Sequence, residues 1–464
     1  MKYIFCILII ASAVSSAAAE EGLSLKTAID TALSNNNELK AAGHQKKAAE
    51  EDLASSEGSY YPRIDVEGKY TRLNDPITLD MNDIRTAIIS ADYLTSYILS
   101  GYSAAEAVKD RLESQLPSFT LNLQDRDYYN LTLSATQILY AGGRIRANVK
   151  AKKAALETAG INETAEKEKI IAGVVGSYFL VELAQQTQNI KEEVLTGMRE
   201  HDSTAEKLFR TGMISKANRM RAESALADAD REAKKAARDT ELAEIVLENL
   251  LNSKIDSYKL TTDFFIPGEI SGEEYFIDKA VNANPALRNL AKTAEQLEAK
   301  EKADKGNLLP TLAAFGKYEA YKADLTALEP EWAAGLVLKI PVFSGLSDYR
   351  NIKKTEAQRE ALRNITDNAR ELIRTQVKKY RHDMLSAAEE YASLESSLEL
   401  AEENLRLNKI SFEQGVATSL EVIDAQLNLG KVKTERCKAL YDYAYALSGL
   451  LRTCGESHKI FDYR

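Results

Sequence analysis

The chain has 464 residues, a formal net charge of −10 at pH 7 and 44% hydrophobic residues. The acidic balance argues against nucleic acid as a partner, because proteins that bind it need basic patches to neutralise phosphates. His44, His201, His382 and His458 are scattered without metal-ligand spacing, and the sequence contains no phosphate loop or nucleophile elbow, so we expect no enzyme, no cofactor and no metal site.

The start of the chain has the composition of an export signal. Lys2 supplies a positive charge, Tyr3–Ala13 is apolar, and Ala17-Ala18-Ala19 is typical of a cleavage site. We predict a signal peptide over residues 1–19, in preference to a buried N-terminal helix. Beyond it, no stretch is long enough and free enough of charge to be a spanning helix, so a chain that enters a membrane must do so with strands.

The chain is also internally duplicated. Residues up to Tyr70 recur up to Tyr318 with a shift of 248 (318 − 70), and residues around Gly212 recur around Gly415 with a shift of 203 (415 − 212). The pattern predicts one module used twice, over residues 20–272 and 273–453, before a tail over 454–464. The recurring residues include Ile29-Asp30, Asn36, Leu39, Pro62 and Gly68-Lys69-Tyr70, then Phe209, Gly212 and Ala222, which return as Phe412, Gly415 and Ala425.

Strands are predicted upstream of each long helix, where the hydrophobic period changes from 3.6 to 2. Segments of about ten residues alternate apolar and polar side chains over 62–73, 127–140, 310–321 and 330–343. Their length suits a tilted transmembrane strand, although alternation alone fits a half-buried hairpin of a soluble domain equally well. The residues expected to face lipid are Ile64, Val66, Tyr70, Leu131, Leu133, Trp332, Leu336 and Leu338.

Four strands per chain predict an oligomer. They cannot close a barrel, and an open sheet edge cannot face lipid. Three chains would give twelve strands and a closed wall, whereas the eight strands of two chains would enclose an interior filled by side chains. A lumen lined by Arg63, Asp65, Glu67 and Lys69 fits the wider assembly.

The first copy carries about 45 extra residues, which join its two strands. This outer loop, over residues 74–126, contains several isoleucines and leucines and is expected to include a helix at the outer mouth of the barrel. A tolerated insertion and a gating or receptor role remain equally open for it.

Two proline-free stretches predict long helices. They are rich in Ala, Glu, Lys, Leu and Arg, and we expect helices of about 65 residues, or roughly 100 Å, over 144–211 and 347–414. Returning helices are expected over 216–251 and 419–452. Each hairpin should bury an apolar stripe as in a coiled coil. In the last helix the stripe is predicted to contain Leu420, Ile423, Leu427 and Val432.

Each long helix is followed by a glycine. Gly212 and Gly415 are typical of a helix C-cap, and the hydroxyl residues Ser215 and Thr418, three positions further on, are typical of the next N-cap. The chain is therefore expected to reverse direction at both places.

Taken together, these residues resemble the TolC-type outer-membrane efflux proteins over nearly the whole mature chain. The similarity includes Tyr61-Pro62 and Leu309-Pro310, where helix becomes strand, and Tyr140-Ala141-Gly142-Gly143, where strand becomes helix. The most specific part is the run from Phe412 to Gln426, which is similar to the family's hairpin-tip signature F-x-x-G-x-x-[ST]-x-x-[DE]-V-x-[DN]-A-[QR].

The resemblance implies a mainly α fold with a small β part: a long antiparallel α-helical coiled-coil barrel continued by a twelve-stranded transmembrane β-barrel. It implies a homotrimer in the outer membrane of a Gram-negative bacterium that extends into the periplasm. The implied partners are outer-membrane lipid, a periplasmic membrane-fusion (adaptor) protein and an inner-membrane pump of the RND or ABC type. Irregular segments over 252–272 and the C-terminal tail would form a belt midway along the tunnel.

The resemblance also implies roles for the hairpin tips. A sharp turn of small residues would let the adaptor interdigitate closely, although such residues serve equally as helix caps. The implied docking residues are Gly212, Met213, Ser215, Gly415, Val416 and Thr418.

At the narrowed tunnel entrance, the resemblance places Glu421 and Asp424. The two residues lie one helical turn apart and therefore share a face of the helix. In a trimer they would supply up to six carboxylates at one place, which could filter ions. The alternative is that the pair is an ordinary solvated helix face. Some members latch this entrance with Tyr, Arg and Asp, whereas the matching residues here are Phe412, Ala417 and Asn218, which cannot form an ionic latch. Two alternatives follow: closure depends on packing, or the resting entrance is looser than in those members.

The function indicated is a passive exit duct for substrates of an efflux or type I secretion system. The substrate stays open, because specificity usually belongs to the pump. The alternative is a structural or adhesive coiled-coil envelope protein without a pore. That alternative explains the long helices but not the alternating strands placed symmetrically at their starts.

Overall fold

The computed structural model describes residues 22–117, 120–255, 258–268, 270–323 and 330–463. The predicted signal peptide lies outside these residues. The predicted mainly α fold with a small β part is confirmed, since most of the described chain is helical and a smaller part is sheet. Two units are distinguished along the chain: one contains residues 22–50, 154–295 and 359–463, and the other contains residues 51–153 and 296–358.

Ten α-helices are defined in the described residues. They are α1 Leu25–Asn35, α2 Asn37–Glu57, α3 Asn82–Ser100, α4 Tyr102–Gln115, α5 Arg144–Arg210, α6 Lys216–Leu251, α7 Glu273–Ala283, α8 Pro285–Gly306, α9 Ser347–Glu413 and α10 Ser419–Thr453. Short 3-10 helices cover Gly58–Tyr60 and Ser457–Tyr463. No helix among these residues is both long and apolar enough to cross a membrane.

The duplication is visible in matching helix breaks. Asn36 separates α1 from α2 and Asn284 separates α7 from α8, with nearly the same backbone angles, φ −61° and ψ 125° against φ −57° and ψ 126°. In each case the asparagine side chain then accepts a hydrogen bond from a backbone N–H of the following helix, from Leu39 at 3.1 Å and from Ala286 at 2.9 Å. An asparagine suits both positions because its short side chain caps a new helix start.

The unit that contains residues 22–50, 154–295 and 359–463 is called here the helical unit. Its core is centred on α5 and α10. Tyr178 and Phe179 of α5 are fully buried, as are Leu447 and Leu450 of α10. Burying side chains of this size contributes about 1.5–3 kcal/mol each.

One buried hydroxyl in this core fixes two irregular segments. The Tyr178 hydroxyl donates to the Leu23 carbonyl at 2.8 Å and accepts from the backbone N–H groups of Thr261 and Thr262 at 3.2 and 3.0 Å. The described residues between 252 and 272 form no helix or strand apart from a single bridge of Leu260 to Leu23. Their backbone therefore depends on contacts such as these.

The apolar stripe predicted for α10 is partly wrong. Ile423 and Val432 are buried, but Leu420 and Leu427 are 46% and 51% exposed in the chain. The buried face contains Val422 and Leu429 in their place, together with small and polar residues such as Ala425 and Gln426. The helices approach closely there, because a β-carbon at Gly197 of α5 would lie 2.5 Å from the Gln426 side chain.

The other unit contains a four-stranded antiparallel sheet in the order β1-β4-β5-β6. Its strands are β1 Arg63–Arg72, β4 Asp127–Ala141, β5 Thr311–Ala323 and β6 Trp332–Lys339. The last strand is shorter than the predicted 330–343. The insertion between β1 and β4 is more elaborate than the expected helix: it holds α3, α4 and a two-stranded ladder of β2 Ile77–Asp80 with β3 Thr120–Gln124.

Candidate functional site

The two hairpin tips have nearly the same backbone. Gly212 and Gly415 adopt φ +74° and +75°, the left-handed region that a side chain disfavours. After each glycine, a backbone N–H turns back to a carbonyl of the last helical turn: Met213 donates to Leu208 at 2.8 Å, and Val416 donates to Ser411 at 2.9 Å. These bonds satisfy carbonyls that the ending helix leaves free, so the glycines fix both reversals.

The helix that leaves each tip is capped differently. The Ser215 hydroxyl accepts from the Asn218 N–H at 3.3 Å and forms a one-way cap of α6. Thr418 forms a reciprocal capping box with Glu421, whose carboxylate accepts from the Thr418 N–H at 2.6 Å. That bond, with a second from the Thr418 hydroxyl, lowers the pKa of Glu421 below its ordinary value.

The two carboxylates predicted at the entrance lie on the exposed side of α10. Glu421 and Asp424 are both exposed, one turn apart, and Val422 and Ile423 between them are buried. They therefore share a face, as the sequence indicates. The Glu421 carboxylate forms part of the N-terminal cap of α10. The sequence pattern alone does not distinguish this capping role from a role at the entrance.

Phe412 lies inside the tip. Its side chain is 2% exposed and packs in a small cluster with Ala205 of α5, Ala222 of α6 and Val422 of α10. The second hairpin thus places an aromatic ring between helices of the first hairpin. Asn218 is half-buried at the start of α6. The proposed docking residues Met213 and Val416 project outward, 55% and 79% exposed.

His201 is a buried member of this tip that sequence reasoning misses. It is 5% exposed, its ring centroid lies 4.7 Å from that of Phe412, and its Nε2 is 2.8 Å from the Ser419 Oγ. Burial lowers its pKa to about 4, because the charged ring would lose solvent; Asp202 opposes this and Lys409 adds to it.

A signal for His201 does exist in the helix period. Val194, Met198 and Ala205 are buried on α5, and position 201 falls on the same stripe. A histidine at such a position needs a partner on another element, which a search for metal-ligand spacing does not consider.

An ion cluster at the first tip, called here the Arg219 cluster, is a second feature that the sequence does not predict. The Arg219 guanidinium of α6 contacts Asp202 at 2.5 Å and Glu206 at 2.6 Å, both on α5. Glu206 also contacts Arg210 at 2.8 Å. Hydrogen bonds from Arg219 and then Arg210 lower the pKa of Glu206. The cluster ties the two arms of the first hairpin together. Neither here nor in the rest of the described residues is a group of three or more His, Cys, Asp or Glu placed to hold a metal ion.

The chain thus contains two long helical hairpins that reverse at glycine turns and a four-stranded antiparallel sheet. The sequence matches the outer membrane efflux protein family over residues 28–253 and 276–456. The chain belongs to that family, and the resemblance drawn from its motifs is confirmed.

Individual relatives are distant but extensive. The chain is 24% identical over 343 residues to the alkaline protease secretion protein AprF of Pseudomonas aeruginosa, covering 70% of each chain. It is 21% identical over 398 residues to nodulation protein T of Rhizobium leguminosarum bv. trifolii, covering 79% of this chain and 78% of that protein. Among solved structures it is similar to CusC, with a TM-score of 0.74, 16% identity and coverage of 93% and 91%.

These findings place the protein in the outer membrane of a Gram-negative bacterium, extending into the periplasm. An outer-membrane efflux or secretion channel is the class of function supported. Transport rather than catalysis characterises that class, which fits the expectation that this chain is not an enzyme.

Proposed function

We propose that three copies of this chain form one channel-tunnel, the passive exit duct of a tripartite efflux or type I secretion system. Substrates would be delivered by an inner-membrane pump through a periplasmic adaptor that docks on the hairpin tips. The observation that carries the proposal is the two-faced sheet with two open edges.

The strand register supports an apolar face for lipid. Val66 pairs with Leu133, Leu133 with Tyr318, and Tyr318 with Trp332, so these side chains share one face across all four strands. Val66 is 67% and Trp332 69% exposed in the single chain. An apolar face of this extent is costly in water and stable in hydrocarbon. The eight residues predicted to face lipid all fall on this face of the register.

The opposite face carries charged and hydroxyl side chains on β1, on β4 and on β5 near Glu319, and it is apolar around Phe315 and Val337. Glu67 pairs with Thr132, and Thr132 pairs with Glu319 and also donates to it at 2.8 Å. Lys317 contacts the same carboxylate at 2.5 Å. Charged and hydroxyl groups of this kind suit a water-filled lumen.

The sheet edges and the helices support the trimer. Among the described residues β1 pairs only with β4 and β6 only with β5, so each outer strand has a row of backbone groups available to another copy. In the helical unit, Leu242, Ile245 and Val246 of α6 form an exposed stripe at i, i+3 and i+4, 60%, 54% and 44% exposed. A neighbouring copy would cover both features.

Efflux and protein secretion both remain within the proposal. AprF is an alkaline protease secretion protein, and CusC forms a transmembrane channel. Specificity for cargo is expected to belong to the pump.

The test is to purify the exported protein in detergent, measure its mass by light scattering and record conductance in a planar bilayer. A heat-sensitive trimer with discrete channel openings is expected. A water-soluble monomer without conductance would instead favour a non-pore coiled-coil envelope protein.

A further inference from the structure

We propose that His201, in its neutral form, holds the tunnel entrance closed, and that protonation of its ring by acid opens it. This inference rests on the proposed channel function. His201 is a positioning residue here, because it acts through Ser419 and Phe412 rather than on a substrate.

The His201 ring lies between the two repeats. His201 is on α5 in the first repeat, whereas Phe412 ends α9 and Ser419 begins α10 in the second repeat. The ring contacts both at once, at 4.7 Å between ring centroids and 2.8 Å from Nε2 to Oγ. Ser419 is itself fully buried. One side chain therefore joins the first hairpin to both arms of the second, within a few residues of the turn.

The charged groups around the His201 ring are largely paired with one another. On α5 the nearby acids are Glu200 and Asp202; on α9 the neighbours are Lys409 and Glu413. Asp202 is already paired with the Arg219 guanidinium, and Glu200 lies 3.4 Å from the Lys409 ammonium. Two of the three acids are thus committed to other cations, and α10 contributes only the uncharged Ser419 and Val422.

The space around the His201 ring is limited. A cavity of about 70 Å³ lies against His201, Thr204, Phe412 and Val422. It is too small to hydrate an imidazolium fully. The aromatic face of Phe412 offers a weak cation–π attraction, which does not replace the lost solvent. A protonated ring is therefore better accommodated when the tip loosens and water enters.

The direction with pH follows from linkage. The closed tip binds the proton more weakly than a solvated histidine does, so acid favours the open tip. The stabilisation of the closed tip is complete above about pH 6.5 and is lost as the pH falls toward about 4. If the open-state ring titrates as an ordinary histidine, each ring raises the ratio of open to closed tips on the order of 20-fold between pH 7 and pH 5.

The test is single-channel recording of the full-length trimer at pH 7 and pH 5. Carboxylates ordinarily titrate below this window. Burial raises the pKa of Glu182, so the histidine variants decide which group responds. We expect the unsubstituted channel to open more often at pH 5. His201→Gln, which keeps a hydrogen-bonding side chain without a titrating ring, should lose that response. His382→Gln, at an exposed position of α9, should keep it.

A second variant guards against a folding defect in His201→Gln. Ser419→Ala removes the partner of the ring and leaves the ring in place, so we expect more frequent opening at pH 7 and a smaller further rise at pH 5. Trimer migration on unheated gels checks assembly of each variant.

Two results would overturn the inference. One is a channel whose opening does not change between pH 7 and pH 5; the other is an acid response that survives in His201→Gln. Either leaves the proposed channel intact, because the channel still conducts. Absence of conductance from the unsubstituted protein at every pH would overturn the channel and the inference together.

Discussion

The two hairpin tips differ in what supports them, although their backbones match. At the first tip Phe209 is 38% exposed and the Arg219 cluster joins α5 to α6. At the second tip, the corresponding Phe412 is 2% exposed and packs between helices of the other hairpin. Both tips share one apolar cluster, to which the second contributes the buried Phe412 ring, whereas the first is also held by an ion cluster within its own hairpin.

The difference shows what duplication preserves. The positive φ of Gly212 and Gly415 is a backbone requirement, so both copies keep glycine. Side-chain contacts are not constrained in this way and have diverged. As a consequence, the first hairpin can move as one unit, whereas moving the second hairpin away from it must expose Phe412 and His201. We therefore expect the second tip to control opening.

Phe412→Ala is the largest test of this comparison. Truncating a fully buried phenylalanine costs about 3–5 kcal/mol where the site cannot collapse. We expect a looser tip and a higher resting conductance in planar bilayers. Phe209→Ala, at the matching exposed position, is the control and should leave conductance near that of the unsubstituted protein. Equal effects of the two substitutions would show that the tips are not differently supported.

Arg219→Met tests the charged support of the first tip. Loss of the guanidinium should make the turn at 212–215 more sensitive to limited proteolysis, with an effect smaller than that of Phe412→Ala because the cluster is partly open to solvent.

The Arg219 cluster should also depend on salt and pH. Salt screens it, so the difference from the unsubstituted protein should shrink at high ionic strength. Because the pKa of Glu206 is lowered, its stabilisation is complete above about pH 4.5 and is lost in stronger acid. Arg221→Met, at an exposed position of the same helix, is the control; comparable cleavage in both variants would count against the cluster.

Thr418→Ala compares the two caps. The substitution removes the capping box and should destabilise the first turn of α10 by about 1 kcal/mol. Hydrogen exchange of the first-turn amides measures this directly. Ser215→Ala removes only a one-way cap of α6 and should have a smaller effect. The reverse order would mean that the Glu421 carboxylate contributes little to the box.

Asn218→Ala is expected to have the smallest effect. The cap at this position uses the Asn218 backbone N–H, which alanine retains. Resting conductance should be unchanged within error. A clear rise would reveal a closing contact made by the amide side chain, and would count against the prediction that packing at Phe412 closes the entrance.

The sequence predicts local features of this fold better than distant ones. The helix ends at Arg210 and Glu413 adjoin the predicted glycine turns, because capping depends on residues within one turn. The sheet faces follow from period-two alternation in the same way. By contrast, Phe209 and Phe412 occupy the same motif position and differ in burial, since burial depends on which helix lies opposite.

The candidate site shows the same limit. Glu421 and Asp424 share a helix face that spacing alone predicts. His201 and Ser419 are 218 residues apart in sequence, and Asp202 and Arg219 meet across a turn only when the hairpin closes. Such pairs require the packing register of whole helices, which no single segment of sequence specifies.

The two open edges of the sheet have a genetic consequence. In the proposed trimer, unpaired backbone groups would be too costly in hydrocarbon for one copy to persist alone, so membrane insertion would be coupled to joining β1 of one copy with β6 of the next. A subunit that is defective only at its tip still joins, and in a cell making equal amounts of both forms about one trimer in eight is wholly normal. Tip alleles should therefore be dominant, and alleles that block an edge strand recessive.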